Sequence, residues 1–162
     1  DAANALREPV EALALAAAAH PRVLCHRDFH SRNIMVRPGG TLALVDIQDA
    51  RWGPDTYDLA SLLRDAYVDL GEGEVDELFD LYQAQLSGSP DRAALRERFD
   101  LVAAQRMIKA LGTFGYQITE MSRERYRSAI PRTISRLSRV LPVDTQTSRL
   151  ADAFRQTGLF TV

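Results

Sequence analysis

The sequence predicts an α+β fold that is mainly helical and carries one small β-hairpin near its start. Apolar residues recur at helical spacing through most of the chain after residue 55. Short β-prone runs occupy residues 22–26, 33–37 and 41–47, and a Pro-Gly-Gly turn separates the last two. Strands and helices are therefore segregated along the chain, which favours an α+β arrangement over a parallel α/β sheet.

The first helices follow from residue type and spacing. Residues 1–20 are rich in Ala, the strongest helix former, and predict a helix that is interrupted or restarted at Pro9. After residues 52–54, a helix is marked by Leu59, Leu62, Leu63, Ala66 and Leu70. Asp55 and Asp58 suit an N-cap arrangement at its start. Another amphipathic helix, ended by the loop 87–90, is marked by Val75, Leu78, Phe79, Tyr82 and Leu86.

Three more helices complete the prediction. The segment from Asp91 to about Glu120 is apolar around much of its circumference, which predicts the central and most buried helix. Residues 145–158 predict the last helix. The helix between these two is lined by Tyr126, Ile130, Ile134, Leu137 and Leu141. The sequence begins without Met, so we expect a fragment or a processed form.

Composition narrows the class of protein. A chain of 162 residues with 46% hydrophobic and 26% charged residues is typical of one globular domain. The net charge of −2 gives no reason to expect a nucleic-acid partner. Residues 121–162 nevertheless carry 8 basic and 3 acidic side chains, which we interpret as a solvated helix face, with attraction of an anionic substrate or partner as the alternative.

Cysteine content and hydropathy indicate the compartment. A single cysteine, Cys25, cannot form an internal disulfide, which favours a reducing environment. The apolar run at residues 12–19 is far shorter than the about 20 residues that a membrane-spanning helix needs. We therefore expect a cytoplasmic protein without a membrane partner.

The stretch at residues 25–36, CHRDFHSRNIMV, concentrates polar side chains directly before a predicted strand. His26, Asp28 and Asn33 form the pattern HxDxxxxN, and Asp46 follows thirteen residues after Asn33, at the end of an apolar strand. In kinase chemistry, an Asp on the catalytic loop orients the attacking hydroxyl, the Asn five residues later binds metal, and an Asp after the next strand binds Mg²⁺. Residues of all three types stand here in that order.

Phosphoryl transfer explains why these residue types are needed. The transferring group carries charge on its equatorial oxygens, so the protein must hold a hard cation with oxygen ligands and align the acceptor. Asp and Asn between strands are also common turn formers, which is the structural alternative. A zinc site built from Cys25, His26 and His30 is a second alternative, but its spacing lacks a CxxC pair. The phosphotransfer interpretation accounts for the most residues.

Three segments, HRDFHSRN (26–33), VDIQDA (45–50) and WGPDTYDLASLLRDAY (52–67), resemble a known family. They are similar to the C-terminal lobe of the aminoglycoside phosphotransferase and choline kinase superfamily. Within it, they are most similar to bacterial kinases that phosphorylate the anomeric hydroxyl of N-acetylmuramate and N-acetylglucosamine in cell-wall recycling. The resemblance covers most of the chain and continues, more weakly, through residues 103–116. Protein kinases fit less well, because His30 stands where they usually carry Lys and DIQDA replaces DFG.

The resemblance implies a protein-kinase-like C-terminal lobe over residues 1–162, with the catalytic loop carried by the hairpin. By position, it makes Asp28 the catalytic base or hydroxyl-orienting residue. It makes Asn33 and Asp46 the ligands of Mg²⁺, and hence of the ATP that Mg²⁺ accompanies. The implied cofactors are therefore ATP and Mg²⁺.

The resemblance also implies supporting residues around this centre. We expect His26 to shape the loop, Asp49 to lie near the metals or the acceptor, and Asp58 to brace the catalytic loop. Loop capping by Asp49 and helix capping by Asp58 are the structural alternatives. The candidates for sugar contact are Arg51, Trp52, Tyr57, Arg106 and Tyr116, because aromatic faces cover sugar rings and Arg pairs with carboxylates.

Part of a complete kinase is missing from the sequence. A nucleotide-binding N-terminal lobe needs a phosphate-binding Lys on a strand, but the single Lys, Lys109, lies in a predicted helix. The glycines form isolated turn signals without a GxGxxG pattern. We therefore expect the N-terminal lobe of the same protein to be absent from this chain, and the isolated chain to be weakly active or inactive.

The predicted function is ATP-dependent phosphorylation of a small-molecule hydroxyl, with the anomeric hydroxyl of an amino sugar as the leading acceptor. One alternative is an aminoglycoside or amino-alcohol (choline-like) kinase, against which the basic tail argues mildly. The other is a non-catalytic interaction module, which would be expected to lack a catalytic Asp or a metal ligand.

Overall fold

The computed structural model describes residues 2–65, 68–88, 90–141, 148–156 and 158. Within these residues, the chain divides into two compact units, one formed by residues 1–19 and 103–162 and the other by residues 20–102. Most described residues are helical, and the strands are few and short. The predicted α+β fold, mainly helical, is confirmed at this level.

The described part of the unit 20–102 contains four short strands: β1 (Arg22–Cys25), β2 (Ile34–Val36), β3 (Leu42–Leu44) and β4 (Arg51–Pro54). β2 and β3 form the predicted antiparallel hairpin. β1 does not join that hairpin but pairs antiparallel with β4, a strand that the sequence prediction missed.

Close approach at Gly53 explains the pairing of β1 with β4. A Cβ atom at this position would stand 3.1 Å from the Cys25 sulfur, so the two backbones come together at a residue without a side chain. Cys25 is buried, and its thiol donates to the Pro54 carbonyl at 3.4 Å. Burial raises the pKa of the Cys25 thiol to about 11, so it is protonated at neutral pH.

The helices of this unit are α2 (Tyr57–Leu63), α3 (Glu72–Gln85) and the first part of α4 (Arg92–Thr119). Its core contains fully buried apolar residues, among them Val75, Phe79, Leu95 and Phe99. The Phe79 and Phe99 rings meet edge to face, with centroids 5.4 Å apart. The two rings join α3 to α4.

The structure corrects two predictions about α2. The helix ends at Leu63, although apolar spacing predicted that it reaches Leu70; the predicted position Ala66 lies outside the described residues. Its N-cap residue is Thr56, so the capping role expected for Asp55 and Asp58 is wrong. Asp55 instead pairs with Arg98 at 3.0 Å.

The second unit contains α1 (Ala2–Ala18), the later part of α4, α5 (Ala129–Val140) and α6 (Ser148–Gln156). α1 continues through Pro9, so the predicted interruption is wrong; the Ala-rich flanks outweigh the one hydrogen bond that Pro removes. Tyr126 lies before α5, in a 3₁₀ turn (Glu124–Tyr126). Residues 145–147 and 157 of the predicted last helix, and residue 89 of the predicted loop, lie outside the described residues.

α1 packs against α6 in this second unit. The buried apolar residues include Leu13, Leu137, Leu150 and Phe154. Among the described residues, none of the helices combines the length and apolar character needed to cross a bilayer.

Candidate functional site

Residues 26–33 form a loop between β1 and β2 and contain the predicted catalytic Asp28. The Asp28 carbonyl accepts the His30 N–H at 3.0 Å and the Asn33 side-chain amide at 2.9 Å. The loop ends in a 3₁₀ turn (Ser31–Asn33), whose last residue leads directly into β2. Within the described chain, the Asp28 carboxylate itself makes no hydrogen bond, so the backbone of Asp28 is fixed while its oxygens stay available.

The hairpin β2–β3 brings the segments of Asn33 and Asp46 to the same end of the strands. The Val45 N–H donates to the Asn33 carbonyl at 3.1 Å, one residue before Asp46. Asp46 has a φ of +70°, in the left-handed region that Asp tolerates better than most residues. Gln48 donates its side-chain amide to one Asp46 carboxylate oxygen at 2.9 Å.

His26 links the loop of residues 26–33 to the Asp46 segment. Its ring Nε2 lies 2.9 Å from the Val45 carbonyl, a contact that needs the tautomer with the proton on Nε2. The Val45 N–H is therefore bound to Asn33, and the Val45 carbonyl is bound to His26. These two contacts restrict the backbone of the residue that directly precedes Asp46.

Asp58, in the first turn of α2, binds the start of the loop of residues 26–33. One carboxylate oxygen accepts the His26 N–H at 2.6 Å, and the other accepts the Arg27 N–H at 2.9 Å. Arg27 has a φ of +74°, which is unfavourable for a long side chain and needs compensating contacts. Its guanidinium lies 5.9 Å from the centre of the Tyr57 ring.

A second carboxylate, which sequence reasoning missed, binds the other end of the loop. Asp65 accepts hydrogen bonds from the backbone N–H and the hydroxyl of Ser31. Asp65 lies two residues beyond Leu63, the last residue of α2, so helical spacing does not relate it to Asp58. Its contact with Ser31 spans thirty-four residues, and no local pattern in the sequence could have identified it.

The available oxygens fit a hard divalent cation. The Asn33 amide donates through its nitrogen, which leaves its oxygen free of hydrogen bonds within the described residues. Asp46 likewise keeps one carboxylate oxygen without a described partner. Mg²⁺ is commonly bound by one or two such protein oxygens, with substrate phosphates and water completing its coordination. Asn33 and Asp46 are therefore the residues that would hold it.

The alternative zinc chemistry gains no support. In the part of the chain that the structure describes, no three His, Cys, Asp or Glu side chains are grouped so as to hold a metal ion. Cys25 is buried, and its thiol donates to the Pro54 carbonyl at 3.4 Å.

The five candidates for substrate contact lie on different elements. Arg51 and Trp52 are exposed on β4, and Tyr57 begins α2. Arg51 also pairs with Asp49 at 3.8 Å, so the two exposed charges compensate each other. Arg106 and Tyr116 lie on α4, in the second unit.

Comparison with known proteins addresses the family. The profile of the phosphotransferase enzyme family matches residues 1–98, which is more than half of the chain and includes the whole loop and hairpin. The chain belongs to this family. The predicted family resemblance is thereby confirmed.

Curated relatives refine this assignment. A Neisseria meningitidis serogroup B protein is 39% identical over 130 residues, covering 75% of this chain and 38% of that protein. A Pseudomonas putida protein is 35% identical over 150 residues, covering 87% and 43%. A Pseudomonas aeruginosa protein is 34% identical over 120 residues, covering 69% and 34%. All three are named N-acetylmuramate/N-acetylglucosamine kinase, and the chain spans about two fifths or less of their lengths.

Proposed function

We propose that this chain is the catalytic part of an ATP-dependent kinase that phosphorylates the anomeric hydroxyl of N-acetylmuramate or N-acetylglucosamine. The arrangement of Asp28, Asn33 and Asp46 around one loop and one hairpin is the observation that carries the proposal. Membership in the phosphotransferase family supports the reaction class, and the names of the relatives support the acceptor.

Asp28 is the proposed base or hydroxyl-orienting group. Its backbone is held by His30 and Asn33, while its carboxylate is available to accept a hydrogen bond from the acceptor hydroxyl. An anomeric hydroxyl is more acidic than an ordinary alcohol, so little proton transfer is needed before attack. The contribution of Asp28 is then mainly alignment of the nucleophile.

Asn33 and Asp46 are the proposed metal ligands. When bound, Mg-ATP supplies the phosphoryl group and the cation that neutralises its developing charge. The protein holds the two ligands through the hairpin hydrogen bond at Val45 and through the left-handed backbone of Asp46. Pre-organised oxygens require little rearrangement during the reaction.

Recognition of the sugar is assigned to aromatic and cationic side chains, of which Arg51, Trp52 and Tyr116 are exposed. Trp52 presents a broad apolar surface, and Arg51 lies beside it on β4. Tyr57 is a further candidate in the same unit, and Arg106 and Tyr116 are candidates in the other unit. An Arg in contact with the sugar would pair with the lactyl carboxylate of N-acetylmuramate. Asp49 would modulate the charge of Arg51 through their ion pair.

The ATP site is proposed to need a further lobe of the same protein. The chain matches only about two fifths of its relatives, and its single Lys lies on α4 instead of on a strand. The cross-strand pair Val36 and Leu42 leaves apolar side chains 73% and 67% exposed on the hairpin, which a second lobe would cover.

The acceptor can be tested by phosphorus NMR of the longer protein that contains both lobes. N-acetylmuramate and N-acetylglucosamine should yield a sugar 1-phosphate from ATP, and the variant Asp28→Asn should lose that activity while keeping its unfolding midpoint. Turnover of kanamycin or choline alone would establish the alternative kinase classes. Full activity in Asp28→Asn would refute the assigned role of Asp28, and no turnover of any acceptor would favour a non-catalytic module.

A further inference from the structure

Two carboxylates hold the catalytic loop at its opposite ends. Asp58 binds the backbone of His26 and Arg27 at the start, and Asp65 binds Ser31 near the end. Asp58 matches the loop-bracing position implied by the family resemblance. Asp65 has no role in the function proposed above, although it is among the few buried acidic residues in the described chain.

The contact between Asp65 and Ser31 is short, double and sheltered from water. A single carboxylate oxygen, Oδ2, accepts the Ser31 N–H at 3.0 Å and the Ser31 hydroxyl at 2.7 Å. Asp65 is only 4% exposed. Hydrogen bonds to a charged acceptor are stronger than neutral ones, and burial protects them from competition with water.

The position of Asp65 is itself fixed by its neighbour. Arg64, immediately before it, closes the last turn of α2 and forms a two-pronged ion pair with Glu72, at 2.7 and 2.9 Å. The Arg64 side chain is almost wholly buried. The chain that carries Asp65 is therefore anchored between α2 and α3.

Ser31 connects Asp65 to Asn33, the proposed metal ligand. It is the first residue of the 3₁₀ turn that ends at Asn33, and the Asn33 N–H closes this turn on the His30 carbonyl at 2.9 Å. Loss of the Ser31 contact would free the turn on the side that carries Asn33. The start of the loop would remain bound to Asp58.

We propose that Asp65 is a positioning residue: through Ser31 it sets the turn that presents the Asn33 oxygen to the divalent cation. The assignment of Asn33 to the cation rests on the proposed function. Asp65 would act on the cation through Ser31 and Asn33, so its removal should weaken binding of the metal–nucleotide complex.

The two bonds to one oxygen provide a specific test. In Asp65→Asn, the amide oxygen can replace Oδ2 and accept both bonds from Ser31, whereas Asp65→Ala removes both. Ser31→Ala removes only the hydroxyl bond and is the milder variant. Ser61→Ala is the matched control, because among the described residues its buried hydroxyl bonds only to the Tyr57 carbonyl within α2.

The first measurement is amide hydrogen exchange by NMR on the 162-residue chain. We expect Asp65→Ala to accelerate exchange at Ser31 and Asn33 by about tenfold or more, with His26 and Arg27 unaffected. Asp65→Asn and Ser61→Ala should exchange like the unchanged protein. The proposal would be overturned if the Ser31 and Asn33 amides exchanged in Asp65→Ala as slowly as in the unchanged protein. It would also be overturned if exchange were accelerated equally at all amides of the loop. If Asp65→Ala fails to fold, Ser31→Ala must accelerate exchange at the same two amides, by less than the tenfold expected for Asp65→Ala.

The second measurement is the affinity of the two-lobed protein for Mn-ADP, followed by electron paramagnetic resonance. Asp65→Ala should weaken it by about tenfold, and Asp65→Asn should restore most of it. Unchanged affinity in Asp65→Ala would overturn the link between Asp65 and the metal. Absence of sugar phosphorylation alongside these changes would refute only the acceptor assignment, so failures of the two proposals are distinguishable.

Discussion

Replacement of Asp58 by Ala should destabilise the protein strongly, because it removes two hydrogen bonds at once. The carboxylate accepts from the His26 N–H at 2.6 Å and from the Arg27 N–H at 2.9 Å. Each hydrogen bond to a charged group contributes about 1.5–3 kcal/mol to the free energy of unfolding. Allowing for the partial exposure of Asp58, we expect a loss of about 3–5 kcal/mol in total.

The two bonds use different oxygens of Asp58, which makes Asn a poor substitute. The Arg27 N–H contacts Oδ1 and the His26 N–H contacts Oδ2, so an Asn amide would direct an N–H₂ group at one of the two donors. Asp58→Asn should therefore be nearly as damaging as Asp58→Ala. At Asp65, by contrast, the two hydrogen bonds from Ser31 converge on one oxygen.

Thermal unfolding followed by far-ultraviolet circular dichroism would measure this effect on the 162-residue chain. For a domain of this size, a loss of about 4 kcal/mol lowers the midpoint by about 10 °C. Asp80→Ala is the matched control, because that carboxylate pairs with Arg92 in an exposed ion pair and should change the midpoint little. A drop in the Asp58→Ala midpoint no larger than that of Asp80→Ala would refute the reasoning.

Three further predictions concern the core, the thiol and the proposed second lobe. Phe79→Ala should cost about 3–5 kcal/mol in urea unfolding because Phe79 is fully buried, whereas the exposed Leu81→Ala should be nearly neutral. The pKa of Cys25 rises from 9.0 to about 11 on folding, so the unfolded thiol ionises first. The protonated Cys25 thiol contributes to the free energy of unfolding below pH 9, and this contribution is lost by about pH 11. Over this pH range, the urea midpoint should therefore fall less in Cys25→Ala than in the unchanged protein. A coupled ATPase assay should find the isolated chain slow or inactive with N-acetylmuramate, and a rate matching the two-lobed protein would contradict the need for a second lobe.

Long helices with a clear apolar pattern could be predicted from the sequence. The helix expected from Asp91 to about Glu120 is observed from Arg92 to Thr119. It could be predicted because its apolar residues recur at helical spacing along the segment. Strand β4 was missed because its residues, RWGP, are typical of a turn, and its partner β1 lies about thirty residues earlier. Pairing between distant segments leaves no local signal.

In the candidate site too, local patterns could be predicted from the sequence and contacts between distant residues could not. The spacing of Asp28, Asn33 and Asp46 is a local pattern, so the sequence identified all three as candidates before the fold was known. The role of Asp65 depends on Ser31, which is thirty-four residues away, and only the fold brings them together. The same contact accompanies the early end of α2, which apolar spacing had extended to Leu70. Tertiary contacts decided what local propensity could not.

The close approach of Gly53 to Cys25 restricts how related sequences can diverge. An Ala at position 53 would place its methyl carbon 3.1 Å from the Cys25 sulfur, so the strand would have to shift. Cys25 directly precedes His26, and such a shift would be passed to the first residue of the catalytic loop. Larger residues at position 53 should therefore occur together with Gly or Ala at position 25, and the two positions should vary as a pair.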